Sequence, residues 1–267
     1  MGDAAIQRER AARPAWRIVL ERDRRVALLL LLAVVALSWG LILLGAGMPD
    51  MGGMDPDMVM EPAPWSPGYA VLIVFMWWGM MAAMMLPSAA PAILLYDRVV
   101  RRAADAGTGA TLIFACGYLL VWGAFSLAAA AVHWGLDRSG LLTMGMASAS
   151  SVLGALLLIG SGIWQLTPLK RACLTRCQSP IQFLAHRWRS GPTGFLRMGM
   201  EHGLHCLGCC WMLMALLFYG GVMNLLWIGG IALYVLVEKT TPAGHWVADL
   251  AGWALIASGF AVLAMAV

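Results

Sequence analysis

Long stretches without a charged side chain dominate the chain and set its architecture. Six of them occur, at residues 26–49, 62–96, 106–136, 139–169, 202–237 and 250–267. A helix needs about 20 apolar residues to cross a bilayer, and each stretch supplies that length or nearly so. The pattern predicts seven transmembrane helices, at about residues 26–46, 68–95, 108–134, 149–168, 199–219, 222–238 and 246–266.

The stretch at 202–237 is too long for one span and short for two. Gly220, Gly221 and Asn224 offer a break in it, so we expect a tight helical hairpin there. If the stretch is one long bent element instead, the number of spans becomes six. The predicted fold class is all-α, a polytopic transmembrane helical bundle.

Basic residues divide unevenly between the predicted loops, and this division sets the orientation. With a cytoplasmic N-terminus, seventeen of the eighteen Lys and Arg residues lie inside and Arg138 lies outside, in accord with the positive-inside rule. The resulting organisation is a basic cytoplasmic segment at 1–25 and a single transmembrane helical domain at 26–267. This domain carries an outside loop at 47–66 and a basic cytoplasmic loop at 169–198.

The composition narrows the function classes. Apolar residues make up 61% of the chain and charged residues only 12%, about half the charged share of a soluble domain. A soluble globular protein, a nucleic-acid binder and a disordered chain are therefore excluded. The net charge of +4 follows from the topology and does not imply an acidic partner.

Methionines are concentrated in one part of the chain. Ten of the nineteen fall within residues 48–85. The outside loop reads M-P-D-M-G-G-M-D-P-D-M-V-M, and its methionines are Met48, Met51, Met54, Met58 and Met60. Thioether sulfur is a soft ligand that suits Cu(I) and survives in an oxidising compartment. The loop is therefore a candidate for metal capture, and the alternative is a flexible loop that merely tolerates Met.

The second span carries two further methionine rows at four-residue spacing. One row is Met76, Met80 and Met84, and the other is Met81 and Met85. Met80 and Met84 are candidate metal ligands within the membrane, and ordinary helix packing is the alternative. We expect Pro87 and Pro91 to kink or end the regular helix.

All six cysteines lie toward the cytoplasm in this topology, where a disulfide framework is not expected. The densest cluster is E-H-G-L-H-C-L-G-C-C at 201–210. Four of its side chains lie near one helix face, namely His202, Cys206, Cys209 and Cys210. His205 lies beside this face. His nitrogen and thiolate sulfur are ligands of Zn(II) and Cu(I), whereas the alternative is small cysteines packed against glycines.

A single helix cannot close a tetrahedral shell with this cluster, so we expect ligands from another segment. Cys173 and Cys177 are candidates, and a solvent-facing pair of reduced thiols is the alternative. Along the fifth span, Cys206 and Cys210 lie about 13 and 20 Å from Arg197. Along the second span, which runs the opposite way, Met84 lies about 21 Å from Arg98. The methionines and cysteines can therefore share one height if these two spans are neighbours.

Several ionisable residues lie near the predicted membrane boundaries. Glu238 and Lys239 are adjacent at the inner end of the sixth span, and a local pair or snorkelling explains them. Asp249 lies about a turn into the seventh span, where an acid is either functional or simply hydrated. His133, at the outer end of the third span, is expected to be interfacial.

Three separated motifs carry a resemblance to a known family. They are W-W-G-M-M-A-A-M-M-L-P-S-A-A-P, then Q-L-T-P-L-K-R-A-C-L-x-x-C, then G-x-x-C-x-G-C-C-W-M-L-M. In them the chain resembles the domain of unknown function 2182 family, predicted metal-binding integral membrane proteins of bacteria, over about residues 65–255. The resemblance implies metal binding at the matching positions, which are Met80, Met81, Met84, Met85, Cys173, Cys177, His202, His205, Cys206, Cys209 and Cys210.

The leading hypothesis is a multi-pass protein of the bacterial inner membrane that takes up, hands off or inserts Cu(I). It would use Met ligands outside and within the membrane and Cys/His ligands toward the cytoplasm. Copper is the expected metal and zinc the alternative. Expected partners are membrane lipid and either a metallochaperone or subunits of a membrane complex, and a homo-oligomer is left open.

Two other functions stay open. One is a membrane thiol–disulfide electron relay through the embedded cysteine pairs. The other is a non-catalytic assembly or structural subunit, for which the Gly199-x-x-x-Gly203 step and thirteen tryptophans are typical. The sequence contains no phosphate-binding loop, no HExxH motif and no convincing Ser-His-Asp set, which favours a non-enzymatic role.

Overall fold

A computed structural model describes residues 29, 31–40, 42–43, 65–102, 108–143, 145–179, 181, 184 and 188–266. Most of these residues are helical, and they include no strand. The helices are α1 Leu31–Gly40, α2 Pro67–Arg102, α3 Thr108–Arg138, α4 Ser151–Leu166, α5 Pro168–Gln178, α6 Pro192–Ala215, α7 Leu225–Thr240 and α8 Gly244–Met265. The prediction of an all-α fold is confirmed.

Four of these helices, α2, α3, α6 and α8, are long and apolar enough to cross a membrane. A fifth span results if α4 and α5, which meet at a 65° bend, are taken together. α7 has 16 residues, or about 24 Å of helix, which is shorter than the bilayer core of about 30 Å. The described part of the chain thus holds four or five membrane-length elements, fewer than the seven that the sequence predicts.

Two predicted segments fall outside the described residues, namely the basic segment at 1–25 and the Met-rich loop at 47–66 except for its last two residues. Of the first predicted span, the structure describes residues 29, 31–40 and 42–43. The basic loop predicted at 169–198 contains α5 and the first turns of α6.

The predicted break within the stretch at 202–237 is confirmed. A single turn, Leu217–Gly220, follows α6, and Gly221 then takes a left-handed φ of 94°. Asn224 begins α7, because its side-chain oxygen accepts hydrogen bonds from the first free N–H groups of that helix. The indole of Trp227 donates to the Leu216 carbonyl at 2.7 Å and ties the two arms of the hairpin together.

Glycines let two pairs of helices approach closely. Gly199 of α6 lies against the backbone of α3, and Gly117 of α3 lies against the backbone of α6, so a Cβ at either position would overlap the facing chain. Gly203 continues the same contact one turn later, as the predicted Gly-x-x-x-Gly step requires. Gly162 of α4 and Gly252 of α8 form the second seam in the same way.

α2 packs chiefly against α3 and α7. It does not end at Pro87 or Pro91, both of which lie inside the helix. The Trp78 indole donates to the Leu119 carbonyl of α3 at 3.0 Å, which fixes α2 beside α3. This placement brings the methionine rows of α2 into the buried core.

The connection between α3 and α4 folds back onto the hairpin. Its residues Leu142 and Ser148 form an isolated antiparallel bridge, and the Ser148 N–H donates to the Phe218 carbonyl at 2.6 Å. Beside it, His133 is only 2% exposed and accepts a hydrogen bond from the Trp77 indole at 3.3 Å. The His133 side chain is therefore buried against Trp77 and does not face the interface as expected, although its neighbour Trp134 is 47% exposed.

Candidate metal centre

Sulfur atoms from three helices meet inside the bundle. α6 contributes Cys206, Cys209 and Cys210, none of which is more than 1% exposed. α2 contributes Met85, which is fully buried, and α5 contributes Cys177. These five residues are called the sulfur centre below.

The local sequence of α6 explains why its three cysteines share one face. Residues three and four positions apart on a helix are neighbours on its surface, and Cys206, Cys209 and Cys210 have this spacing. The Cys209 and Cys210 thiols donate to the Cys206 carbonyl at 3.0 and 2.9 Å. The two thiols are therefore turned back along α6.

Contacts with two other helices complete the sulfur centre. The Met85 sulfur and the Cys210 sulfur lie 3.8 Å apart, so α2 and α6 are neighbours at this height, as the sequence argument required. Cys177 of α5 lies close enough to Cys209 for the two thiols to affect each other's protonation, which brings in α5. The structure thus unites five of the eleven predicted site residues.

The other methionines and Cys173 lie near the sulfur centre without joining it. Met80, Met81 and Met84 are at most 1% exposed, and they have no polar contact with a cysteine among the described residues. The Cys173 sulfur packs against Gly208, where an added Cβ would come within 2.8 Å of it. Cys173 therefore packs against the side of α6 that carries Gly208.

The two histidines of the cluster have other neighbours. His202 is 4% exposed and packs beside the rings of Phe114 and Tyr118, with centroids 6.0 and 5.8 Å away. His205 Nε2 lies 3.3 Å from a guanidinium nitrogen of Arg176 on α5. Each histidine therefore has at least one neighbour on another helix.

A lysine ammonium reaches into the sulfur centre. Lys239 of α7, only 8% exposed, donates to Cys206 Sγ at 2.8 Å and to Ser88 Oγ at 3.3 Å. The Tyr118 hydroxyl lies 3.0 Å from the same sulfur and donates to the Met85 carbonyl at 3.2 Å. Ser88 also donates to that carbonyl, at 2.9 Å. One polar network therefore joins α2, α3, α6 and α7 around Cys206.

A second buried charge lies next to this network. Glu238, the neighbour of Lys239 in sequence, pairs with Lys170 of α5, and both side chains are fully buried. Tyr234 donates to the same carboxylate oxygen at 3.1 Å, and Gln165 donates to Tyr234 at 2.9 Å. The expectation of a local Glu238–Lys239 pair or of snorkelling is thus wrong, because the two side chains have separate buried partners.

The sequence left open whether Asp249 is functional or simply hydrated, and the structure places it in a partly exposed ion pair. Its carboxylate pairs with Arg171 at 2.8 Å in a partly exposed position. This ion pair links the ends of α5 and α8.

No preformed metal shell of the usual kind is present in the described ranges. Within them, no group of three or more His, Cys, Asp and Glu side chains is placed to hold a metal ion. The reason is geometric, since Cys209 and Cys210 point to a carbonyl and Cys206 binds the Lys239 ammonium. The available donors are chiefly sulfur, one of them the thioether of Met85, and sulfur ligands suit Cu(I).

Comparison with known proteins gives the class of the chain. Residues 74–262 match the model of the PpoB2 family, described as copper chaperone. This range is most of the chain and includes the whole sulfur centre, and the protein belongs to this copper chaperone family. No curated protein and no solved structure matches the chain. The match supports a copper-related family and the predicted involvement of copper, but not specifically the domain of unknown function 2182 family that the sequence resembles.

Sequence reasoning missed Lys239, Tyr118 and Ser88 as members of the polar network. A basic residue at the end of an apolar stretch was the available signal for Lys239, since such residues are rare and often functional. For Tyr118 and Ser88 no sequence signal existed, because their role depends on which helices are neighbours.

Proposed function

We propose that this protein binds Cu(I) as cargo at the sulfur centre, within the membrane, and passes it to a partner protein. The observation that carries the proposal is the 3.8 Å contact between the Met85 thioether and the Cys210 thiol, with Cys206 one turn away on α6. Soft sulfur ligands from two helices, buried from water, favour Cu(I) over harder cations.

The donor set favours copper over zinc. Structural zinc sites use four Cys or His ligands in a closed tetrahedron, whereas the sulfur centre includes the thioether of Met85, which is not a ligand of that kind. Cu(I) is instead suited to thiolate and thioether sulfur, and Met85 with the α6 cysteines supplies both. Membership of a copper chaperone family supports the same choice.

The direction of transfer is part of the proposal. The Met-rich loop at 47–66 would collect copper outside the bacterial inner membrane, and the sulfur centre would receive it. Thiolate sulfur on the cytoplasmic half would then hold Cu(I) more tightly than the outer thioethers. A metallochaperone or a copper-requiring membrane complex would accept the ion.

The test is Cu(I) binding by the purified protein in detergent, kept anaerobic and reduced. A chromogenic Cu(I) chelator serves as competitor, and elemental analysis gives the stoichiometry. Cys206→Ser and Cys210→Ser should abolish high-affinity binding, and Met85→Leu should weaken it about tenfold, equivalent to about 1.4 kcal/mol.

Cys116→Ser is the matched control, because Cys116 is exposed on α3, outside the sulfur centre. It should bind copper like the unchanged protein. Equal copper binding by all four variants would contradict the proposal.

A thiol relay is the second candidate, and the proximity of Cys177 and Cys209 favours it. In that role a thioredoxin-type protein lacking its resolving cysteine should form a mixed disulfide with this chain. The adduct should disappear in Cys177→Ser and persist in Cys116→Ser. Copper binding without any adduct would reject the relay.

A further inference from the structure

We propose that the Lys239 ammonium occupies the place of the copper ion in the metal-free protein, and that Cu(I) loading displaces it. This inference rests on the proposed function. It assigns Lys239 as a positioning and selectivity residue of the sulfur centre, which neither the family match nor the sequence motifs indicate.

The contacts of Lys239 are those of a bound cation. Its nitrogen lies 2.8 Å from the Cys206 sulfur and 3.3 Å from the Ser88 hydroxyl. It reaches these atoms from α7, so a cation from one helix is held by a thiol of another. Cys206 cannot bind a metal ion on that side while the ammonium stays there.

Lys239 has no carboxylate partner among the ion pairs of the described residues. The nearest candidate in sequence, Glu238, is bound to Lys170. A buried charge without a counter-ion is costly, so the ammonium depends on Cys206 and Ser88. This makes it exchangeable in a way that Lys170, held by a carboxylate, is not.

The Cys206 sulfur binds Cu(I) as a thiolate in place of the ammonium, and any neutral thiol that becomes a ligand, such as that of Cys210, releases its proton to water. Cu(I) carries the same single charge as the ammonium that it replaces. A divalent ion would add one charge to a region of low dielectric constant, which is unfavourable. The displacement therefore selects for soft monovalent cations.

The position of Lys239 gives its side chain a route out. It precedes Thr240, the last residue of α7, and Thr240 itself is exposed. The flexible four-carbon stem of lysine can carry its ammonium to the membrane surface while the stem stays in apolar surroundings. The ammonium keeps its proton and changes only its location.

The chain itself offers a clean experiment, because it contains only two lysines, Lys170 and Lys239. The unchanged protein in detergent is treated with a water-soluble amine-acylating reagent, with and without one equivalent of Cu(I). Mass spectrometry measures the modification of each lysine, and elemental analysis of the same sample measures bound copper. We expect acylation of Lys239 to rise several-fold with copper, while Lys170 stays protected in its pair with Glu238.

Ag(I) should expose Lys239 as Cu(I) does, and Zn(II) should not. Bound copper with Lys239 still protected would overturn this inference and leave the proposed function standing. Absence of bound copper would overturn the proposed function, and this inference with it.

A variant provides the second measurement. Lys239→Leu removes the competing ammonium and adds no metal ligand, so Cu(I) affinity should rise about tenfold, equivalent to about 1.4 kcal/mol. Lys239→Arg keeps a cation at the site and should show no such gain. A weaker affinity in Lys239→Leu would mean that the ammonium stabilises bound copper, which contradicts displacement.

Discussion

Two buried lysines in this protein are held in opposite ways. Lys170 is fully enclosed with the Glu238 carboxylate, which Tyr234 also contacts. Lys239 is bound by the Cys206 thiol and the Ser88 hydroxyl. The first arrangement neutralises the charge of Lys170 and holds α5 to α7, whereas the second leaves the Lys239 ammonium beside a thiol and a hydroxyl. Burial alone therefore does not distinguish the two lysines, whereas the chemistry of their partners does.

The largest effect is expected from breaking the Lys170–Glu238 pair on one side. Lys170→Met or Glu238→Gln leaves one buried group without its partner, which typically costs about 3–5 kcal/mol. The free energy of unfolding, measured with denaturant in detergent micelles, should fall by that amount.

The double variant Lys170→Met/Glu238→Leu is the control for this prediction. It removes both charges, so the stability should return close to that of the unchanged protein. If the single variants were as stable as the double variant, the pair would not be the structural element that we describe.

A smaller effect is expected where the polar network meets the sulfur centre. Tyr118→Phe removes the hydroxyl that contacts Cys206 and donates to the Met85 carbonyl. The loss of one such buried hydrogen bond costs about 1 kcal/mol, measurable in the same unfolding experiment. Cu(I) should still bind, because no sulfur atom is removed, and loss of copper binding would mean that Tyr118 is itself part of the metal site.

The smallest effect on stability is expected at the Arg171–Asp249 ion pair, which lies next to the buried pair because Arg171 follows Lys170 in the sequence. Arg171 and Asp249 pair at 2.8 Å, with side chains 52% and 29% exposed. Exposed pairs contribute about 0.2–1 kcal/mol, so Asp249→Asn should lower stability by less than 1 kcal/mol and less still at high salt. If Asp249→Asn lowered the free energy of unfolding as much as Glu238→Gln does, the exposed Arg171–Asp249 pair would be as important as the buried Lys170–Glu238 pair. That result would contradict the prediction.

The sequence predicted those features that depend on position along a single helix. The cysteines of α6 share a face because helix geometry places residues 206, 209 and 210 together, and the hairpin break follows from two glycines and a capping Asn224. The number of membrane-length helices was less predictable, because α4 and α7 are shorter than their apolar stretches.

The sequence predicted only part of the candidate site, because it shows which residues share a helix face but not which helices are neighbours. Hydrophobic stretches and sulfur-rich motifs indicated a helical membrane protein that handles a soft metal, and the copper chaperone family supports this. Helical periodicity groups His202 and His205 with the cysteines, yet it cannot say which neighbour each side chain meets. Only the structure shows that His202 packs beside Phe114 and Tyr118 of α3.

Apolar length, charge bias and helix periodicity are local properties, and they suffice for the membrane class, the hairpin and the shared face of the α6 cysteines. Contacts between helices depend on how glycine seams and buried side chains pack in three dimensions. Only the tertiary structure could therefore direct Glu238 to Lys170 and its neighbour Lys239 to Cys206. Successive residues of a helix point about 100° apart, and different neighbouring helices meet them.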